Sequence, residues 1–214
     1  MKQERFRRKW AFTLIELLIV IAIIAILALI AIPNFLEAQV RSRVSRVHAD
    51  MRSIATAIEA YTVDFQRAPI GGNEGAGGSG APYSLWTDDT RDELYRQFTT
   101  PVAYMTQIPV DPFMDKAASQ YNQTSGKTKH LKYFEYQHMQ FHAYDVNNDM
   151  GRAFRVGYVW YLRSPGPARI VGSPYLAAIV VDNDPGMIYD PTNGTMSIGN
   201  IHRTNKGVLD GRNM

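Results

Sequence analysis

Glu16 poses the first chemical question in this chain. It stands in AFTLIELLIVIAIIAILALIAIPNF, residues 11 to 35, as the single polar side chain between Leu14 and Ile32. A carboxylate at the centre of a membrane-spanning helix costs about 2.5–3.5 kcal/mol on translocon scales, and less near an end. Either Glu16 snorkels to an aqueous boundary, or a cation pairs with it. In a low dielectric a carboxylate and an ammonium attract strongly, and each is costly when left alone.

Other side chains with chemical potential are scattered. There is no cysteine, which removes disulfides and thiolate metal sites. His48, His130, His138, His142 and His202 are the histidines. His138 and His142 stand four apart and could share a helix face as metal ligands, but their surroundings are strand-like and no third ligand is evident. Asp145-x-Asn147-x-Asp149 matches the opening of an EF-hand loop. Glycine then falls one place late, at 151, and Val156 takes the place of the closing glutamate, so the motif is rejected. Asp182 and Asp184 flank a turn, with Asp190 nearby. Turn chemistry accounts for all three without a metal, and calcium stays open as an alternative. The glycine-rich run GGNEGAGGSGA, residues 71 to 81, lacks the P-loop lysine and a preceding strand. It reads as a flexible linker. No activated nucleophile, carboxylate pair or cofactor fingerprint emerges, so no catalytic residue is assigned and the chain reads as a non-enzyme.

The elements that hold Glu16 are legible. Leu14 to Ile32 is nineteen residues, which as a helix spans about 28 Å, close to the hydrocarbon thickness of a bilayer. A buried core helix is usually shorter. A secretory signal expects a small-x-small cleavage site, yet the alanines fall at 22, 25, 28 and 31, three apart. Ahead of the run, MKQERFRRKWA has net charge +4 within a chain of net charge +3, leaving −1 for the remainder. Basic residues before an apolar span mark a cytoplasmic N-terminus, and no basic surplus remains for nucleic acid. The alanines admit a close helix neighbour or merely favour helix. Pro33 should kink or loosen the helix near Ile30.

Beyond Pro33 the apolar positions are Val40, Val44, Val47, Met51, Ile54, Ile58, Tyr61 and Phe65, at alternating steps of four and three. This heptad seam fits a two-stranded coiled coil or, as the preferred reading, a helix laid on its own C-terminal domain. With the apolar span it would form a helical rod of roughly 80 Å. Thr87 to Phe98 has the pattern of a short capped helix, and residues 99 to 113 are too proline-rich for regular structure. Strands are expected at Lys132 to Gln137, Phe154 to Arg163 and Leu176 to Val181. Weaker ones are expected at Met187 to Tyr189 and Ser197 to His202. The tail from Thr204 is expected to fray. The fold class is therefore α+β: a long N-terminal membrane-spanning helix continuing as an amphipathic helix on a small antiparallel sheet.

The order of basic leader, small residue, Phe12-Thr13-Leu14-Ile15-Glu16, apolar helix and Pro33 resembles the N-terminus of type IV pilins and type II secretion pseudopilins. The match covers roughly residues 5 to 36. The resemblance implies cleavage by prepilin peptidase between Ala11 and Phe12, then methylation of the new Phe12 amine. It also implies that Glu16 pairs with the amine of a neighbouring subunit during assembly. The family usually has glycine where this chain has Ala11. Implied partners are the peptidase, identical or related pilin subunits and inner-membrane lipid. The implied location is the inner membrane, with the C-terminal domain outside, and then a periplasmic or extracellular filament.

IPVDPF (108 to 113), YLRSPGP (161 to 167) and YDPTNGTMSIGNIHR (189 to 203) resemble the secretion-system branch. Major pseudopilins bind calcium in a similar loop through a serine and several aspartates. After Ser164 and Gly166 this chain reads Pro167-Ala168 where acid is expected, and Asn200 stands where aspartate is usual, which weakens that route to calcium. The expectation is a type II secretion pseudopilin. Alternatives are a type IV pilin for adhesion, motility or DNA uptake, and a membrane-anchored binding domain that does not polymerise. The expected domains are leader 1–11, transmembrane helix 12–33, amphipathic helix 34–67, linker and short helix 68–98, and β domain 99–214.

Overall fold

A computed structural model describes residues 12–69, 96–114, 119–122, 127–130, 133–139, 149–169, 176–182, 188–192, 197 and 199–209. The chain divides into two compact units, Met1–Gln39 and Val40–Met214. Helix α1 (Leu14–Phe65) is continuous, with Pro33 inside it.

In the first unit α1 is long and apolar enough to cross a membrane, and none of its most apolar window is buried. Leu14, Ile15, Leu18, Ile24, Leu27, Leu29 and Ile30 all expose more than half of their surface. An all-round apolar helix that stays uncovered is stable only in lipid or against other apolar helices.

In the second unit the heptad positions turn inward. Val47, Met51, Ile54 and Ile58 are fully buried, and Val44 and Tyr61 nearly so. Each such burial stabilises the fold by about 1.5–3 kcal/mol. The seam therefore belongs to the chain's own core and carries no coiled coil. Ala55 and Ala57 are also buried, where the seam had no place for them. Phe65 ends the seam half-exposed, stacked on Tyr61 at 4.3 Å between ring centroids.

The sheet beneath α1 is antiparallel, in the order β3 (Glu135–His138), β4 (Trp160–Ser164), β5 (Ile201–Thr204), β6 (Gly207–Leu209). A separate hairpin joins β1 (Ser119–Asn122) to β2 (Lys127–His130). Two short helices, α2 (Asp149–Arg155) and α3 (Leu176–Val180), complete the described elements. Strand alternation splits the sheet into two faces. Tyr136, Trp160, Leu162 and Ile201 join the α1 core. Tyr161 joins a smaller cluster with Met139, Ala153 and Leu176, to which Leu209 adds. Polar ties reinforce the larger core: Trp160 Nε1 donates to Glu59 Oε1 at 3.2 Å, and Tyr136 OH donates to the Pro69 carbonyl at 3.0 Å.

Several sequence expectations need correction. Phe154 and Arg155 close α2 instead of opening a strand, and β4 starts only at Trp160. Leu176–Val180 is helix, since a short apolar run cannot separate strand from helix. Two alanines tilt this one towards helix. The strand expected from Ser197 begins at Ile201, and Ile188 contributes a single parallel bridge to Asn200. The expected fraying at Thr204 is replaced by a hairpin to β6, closed by Thr204 Oγ1 donating to the Gly207 carbonyl at 3.1 Å. Nothing in the sequence pattern had marked β1 and β2. The glycine-rich run and most of the short helix at 87–98 lie outside the described residues.

Candidate assembly site

The first turn of α1 is built by a reciprocal cap. Thr13 stands before the helix and Glu16 is its third residue, which is the S/T-x-x-E capping box. The Thr13 amide donates to Glu16 Oε2 at 2.8 Å and the Thr13 hydroxyl to the same oxygen at 2.7 Å. The Glu16 amide donates back to Thr13 Oγ1 at 3.3 Å. Helix N-termini carry orphan amides and partial positive charge, and a carboxylate here answers both. Glu16 is thus locally satisfied while remaining fully exposed with the rest of the turn. Phe12 is 70% exposed one residue before the cap. The three residues Phe12, Thr13 and Glu16 thus form one contiguous surface at the helix start. Ala11 lies outside the described residues. The part that sequence reasoning missed is Thr13, whose capping role was signalled by its three-residue spacing from Glu16.

Residues 7–32 match the model of the prokaryotic N-terminal methylation motif. This N-terminal segment is similar to that of type IV pilins. Among curated relatives, the chain is 44% identical over 75 residues to the type IV major pilin protein PilA of Myxococcus xanthus, covering 35% of this chain and 34% of that protein. It is 46% identical over 86 residues to a type IV major fimbrial protein FimA of Dichelobacter nodosus, covering 38% of this chain and 53% of that protein. A second FimA of the same organism is 53% identical over 57 residues, 27% of this chain and 36% of that protein. The chain thus spans between about a third and half of the length of the relatives it matches. No solved structure matches it. The pilin-type segment and the α+β architecture agree with one another: a long apolar helix leads into an amphipathic half that packs on a four-stranded antiparallel sheet.

The remaining candidate residues disperse. Among the described residues no three of His, Asp or Glu gather as a metal-holding group. His138 is a buried β3 residue, not a helical one, and His142 lies outside the described residues. Asp182 pairs with Arg152, and Asp184 lies outside the described residues. Asp190 Oδ1 accepts from the Thr192 amide at 2.8 Å and hydroxyl at 2.6 Å, the turn chemistry expected of it. Ser164 and Asn200 are both fully buried at the sheet's end.

Two buried polar features and one close backbone approach had no sequence signal. The first is Asp111, whose Oδ1 accepts from the Phe113 amide at 2.8 Å, while Oδ2 has no donor in hydrogen-bond geometry among the described residues. Burial pushes its pKa up to about 6, opposed by Ser164 and the Phe113 amide and aided by the nearby charge of Asp50. The second is a row across three strands, Glu135, Arg163 and His202, in direct register. Arg163 Nε donates to Glu135 Oε2 at 2.6 Å, and Gln137 Nε2 donates to Glu135 Oε1 at 2.9 Å. His202 is wholly buried beside them, and neither ring nitrogen has a partner among the described residues. Burial first, and the Arg163 charge second, hold its pKa down to about 3, so the ring is neutral. The third is Gly199, where a Cβ would lie 2.0 Å from the Ile188 carbonyl carbon. Only glycine admits that approach. These features are architecture: they fix the sheet and its terminal loop.

Proposed function

We propose that this chain is the structural subunit of a type IV pilus-like filament and has no catalytic role. The observation that carries the reading is an exposed helical span, apolar from Leu17 to Ile32, that begins within the methylation motif. Such a helix is soluble only in lipid or among copies of itself. Prepilin peptidase removes residues 1–11 and the Phe12 amine is methylated. The precursor waits in the inner membrane with its C-terminal domain outside. During assembly Glu16 exchanges its Thr13 contacts for the ammonium of a neighbour's Phe12, so that a costly charge in the monomer becomes a paired one in the polymer.

The partial C-terminal resemblance points first to a type II secretion pseudopilin. The similar proteins named above are major pilins and fimbrial proteins, and they support the pilus reading better. The secretion reading keeps one observation in its favour, the YLRSPGP and YDPTNGTMSIGNIHR segments. Their residues Ser164, Gly166, Gly199 and Asn200 lie buried at one end of the sheet. Mechanical shearing of cells at native expression separates the two. A pilus subunit is recovered as surface filaments, and its loss leaves secretion of folded proteins intact. A pseudopilus subunit gives no surface filament at native level, and its loss blocks secretion.

A further inference from the structure

Charge is segregated along the part of α1 that follows the apolar span. From Ala38 to Ala49 there are three arginines, Arg41, Arg43 and Arg46, and no acid. From Asp50 to Phe65 there are Asp50, Glu59 and Asp64 against Arg52 alone. A helix face that serves only solubility mixes its signs. The outward flank of a membrane helix ordinarily carries few arginines and lysines, so three within six positions directly after the span call for a cause.

All three arginines are exposed. Val44 and Val47 between them are buried. At 3.6 residues per turn, Arg41 and Arg43 flank that buried stripe on its two sides and Arg46 lies towards the far side. The charges therefore ring the helix wherever it is not covered. Ser42 and Ser45, also exposed, add hydroxyl donors to the ring. Arg46 faces Asp50 at 3.5 Å, and Arg41 has a contact of its own. Arg43 has no ion pair among the described residues. Exposed carboxylate pairs contribute little, whereas guanidinium and phosphate join through two parallel charge-assisted hydrogen bonds.

The spacing selects what meets them. Ile32, Phe35 and Leu36 are still exposed apolar side chains, and α1 continues past them without a break. Arg41, Arg43 and Arg46 follow Leu36 by five, seven and ten residues, which is about 7.5 to 15 Å at helical rise. The headgroup layer adds about 5–7.5 Å beyond the hydrocarbon, and arginine reaches back along its long apolar stem. We propose that Arg41, Arg43 and Arg46, with Ser42 and Ser45, form a belt that binds anionic phospholipid headgroups at the outer boundary of the membrane and fixes the depth of the subunit before assembly. The inference rests on the membrane placement in the filament reading and adds to it a lipid contact outside the apolar span.

The full-length chain in neutral detergent is titrated with phosphatidylglycerol, with phosphatidylcholine and with inorganic phosphate. Each of Arg41→Gln, Arg43→Gln and Arg46→Gln is expected to weaken phosphatidylglycerol binding about fivefold, and the triple variant roughly a hundredfold. Phosphatidylcholine, whose phosphate is offset by choline, is expected to bind about tenfold more weakly than phosphatidylglycerol. Arg52→Gln removes an exposed arginine about 24 Å beyond Leu36 at helical rise. That variant is expected to stay within about twofold of wild type, since the attraction is short-ranged. Equal binding by wild type and the triple variant overturns the belt, and so does an equal loss from Arg52→Gln. Inorganic phosphate that displaces phosphatidylglycerol at equal concentration assigns the arginines to a free phosphate and overturns it too. Sheared filament yield is read in parallel. Filaments without selective phosphatidylglycerol binding overturn the belt and leave the filament reading standing. Selective binding without filaments overturns the filament reading and leaves the belt standing.

Discussion

Thr13 and Glu16 hold each other at the first turn of α1 through three hydrogen bonds of 2.7, 2.8 and 3.3 Å. The carboxylate proposed to bind a neighbour's amine is therefore already a helix cap, and the two roles are separable by chemistry. Glutamine caps as well as glutamate does in this box but carries no charge. Glu16→Gln is expected to insert and be processed normally yet to lose filaments. Thr13→Ala should cost about 1 kcal/mol of local helix stability and keep filaments. Filament yield after shearing reads both. Normal yield from Glu16→Gln would reduce Glu16 to a cap.

Asp111 sets one side of the pH profile. Its acid form is favoured in the folded state, with a pKa of about 6 against an ordinary 3.8. Its contribution to stability is fully present below pH 3.8 and is lost as pH rises through about 6, a swing of about 3 kcal/mol. Asp111→Asn keeps an acceptor for the Phe113 amide and cannot ionise. The difference in thermal midpoint between wild type and this variant is expected to grow in the variant's favour from pH 4 to 7. A pH-independent difference contradicts the account of Asp111.

His202 works in the opposite direction. Its neutral form is favoured, with a pKa of about 3 against 6.5 when unfolded. Stability from that preference is present above pH 6.5 and is lost as pH falls towards 3. The ring makes no hydrogen bond among the described residues, so an apolar replacement forfeits little. His202→Leu is expected to be near neutral at pH 7.5 and more stable than wild type at pH 4.5. Equal destabilisation at both values would contradict it.

The Glu135–Arg163 pair lies across β3 and β4, and both side chains are nearly or fully buried. Removing one partner strands the other charge, which costs about 3–5 kcal/mol, whereas removing both together costs far less. Arg163→Met alone should unfold at much lower denaturant than Glu135→Met/Arg163→Met. Additive losses in that double-mutant cycle would show that the two side chains do not depend on each other.

How far the sequence reached depended on the range of the signal. The heptad from Val40 to Phe65 encodes its own periodicity, and the structure buries that stripe from Val44 to Tyr61. The apolar span is equally local, and the Thr13–Glu16 capping box, though just as local in its spacing, was passed over. The strand expected at Leu176 to Val181 failed because six apolar residues carry no period. The hairpin to β6 failed because Gly207, at φ 127°, turns the chain where the tail resembled a frayed end. Asp111 and His202 were illegible for a different reason. Their character comes from burial by residues far along the chain, and no spacing records that. The row from Glu135 through Arg163 to His202 exists only through strand register, which joins positions 28 and 39 residues apart.

The central claim is that the chain is processed at Phe12 and assembles through that end. Intact mass of the protein recovered from sheared filaments or membranes tests it most directly, with prepilin peptidase present and absent. With the peptidase, the chain is expected to begin at Phe12 and to carry one added methyl group. Without it, the mass is expected to retain residues 1–11. A full-length, unmethylated chain in both samples contradicts the account and leaves a membrane-anchored domain that does not polymerise.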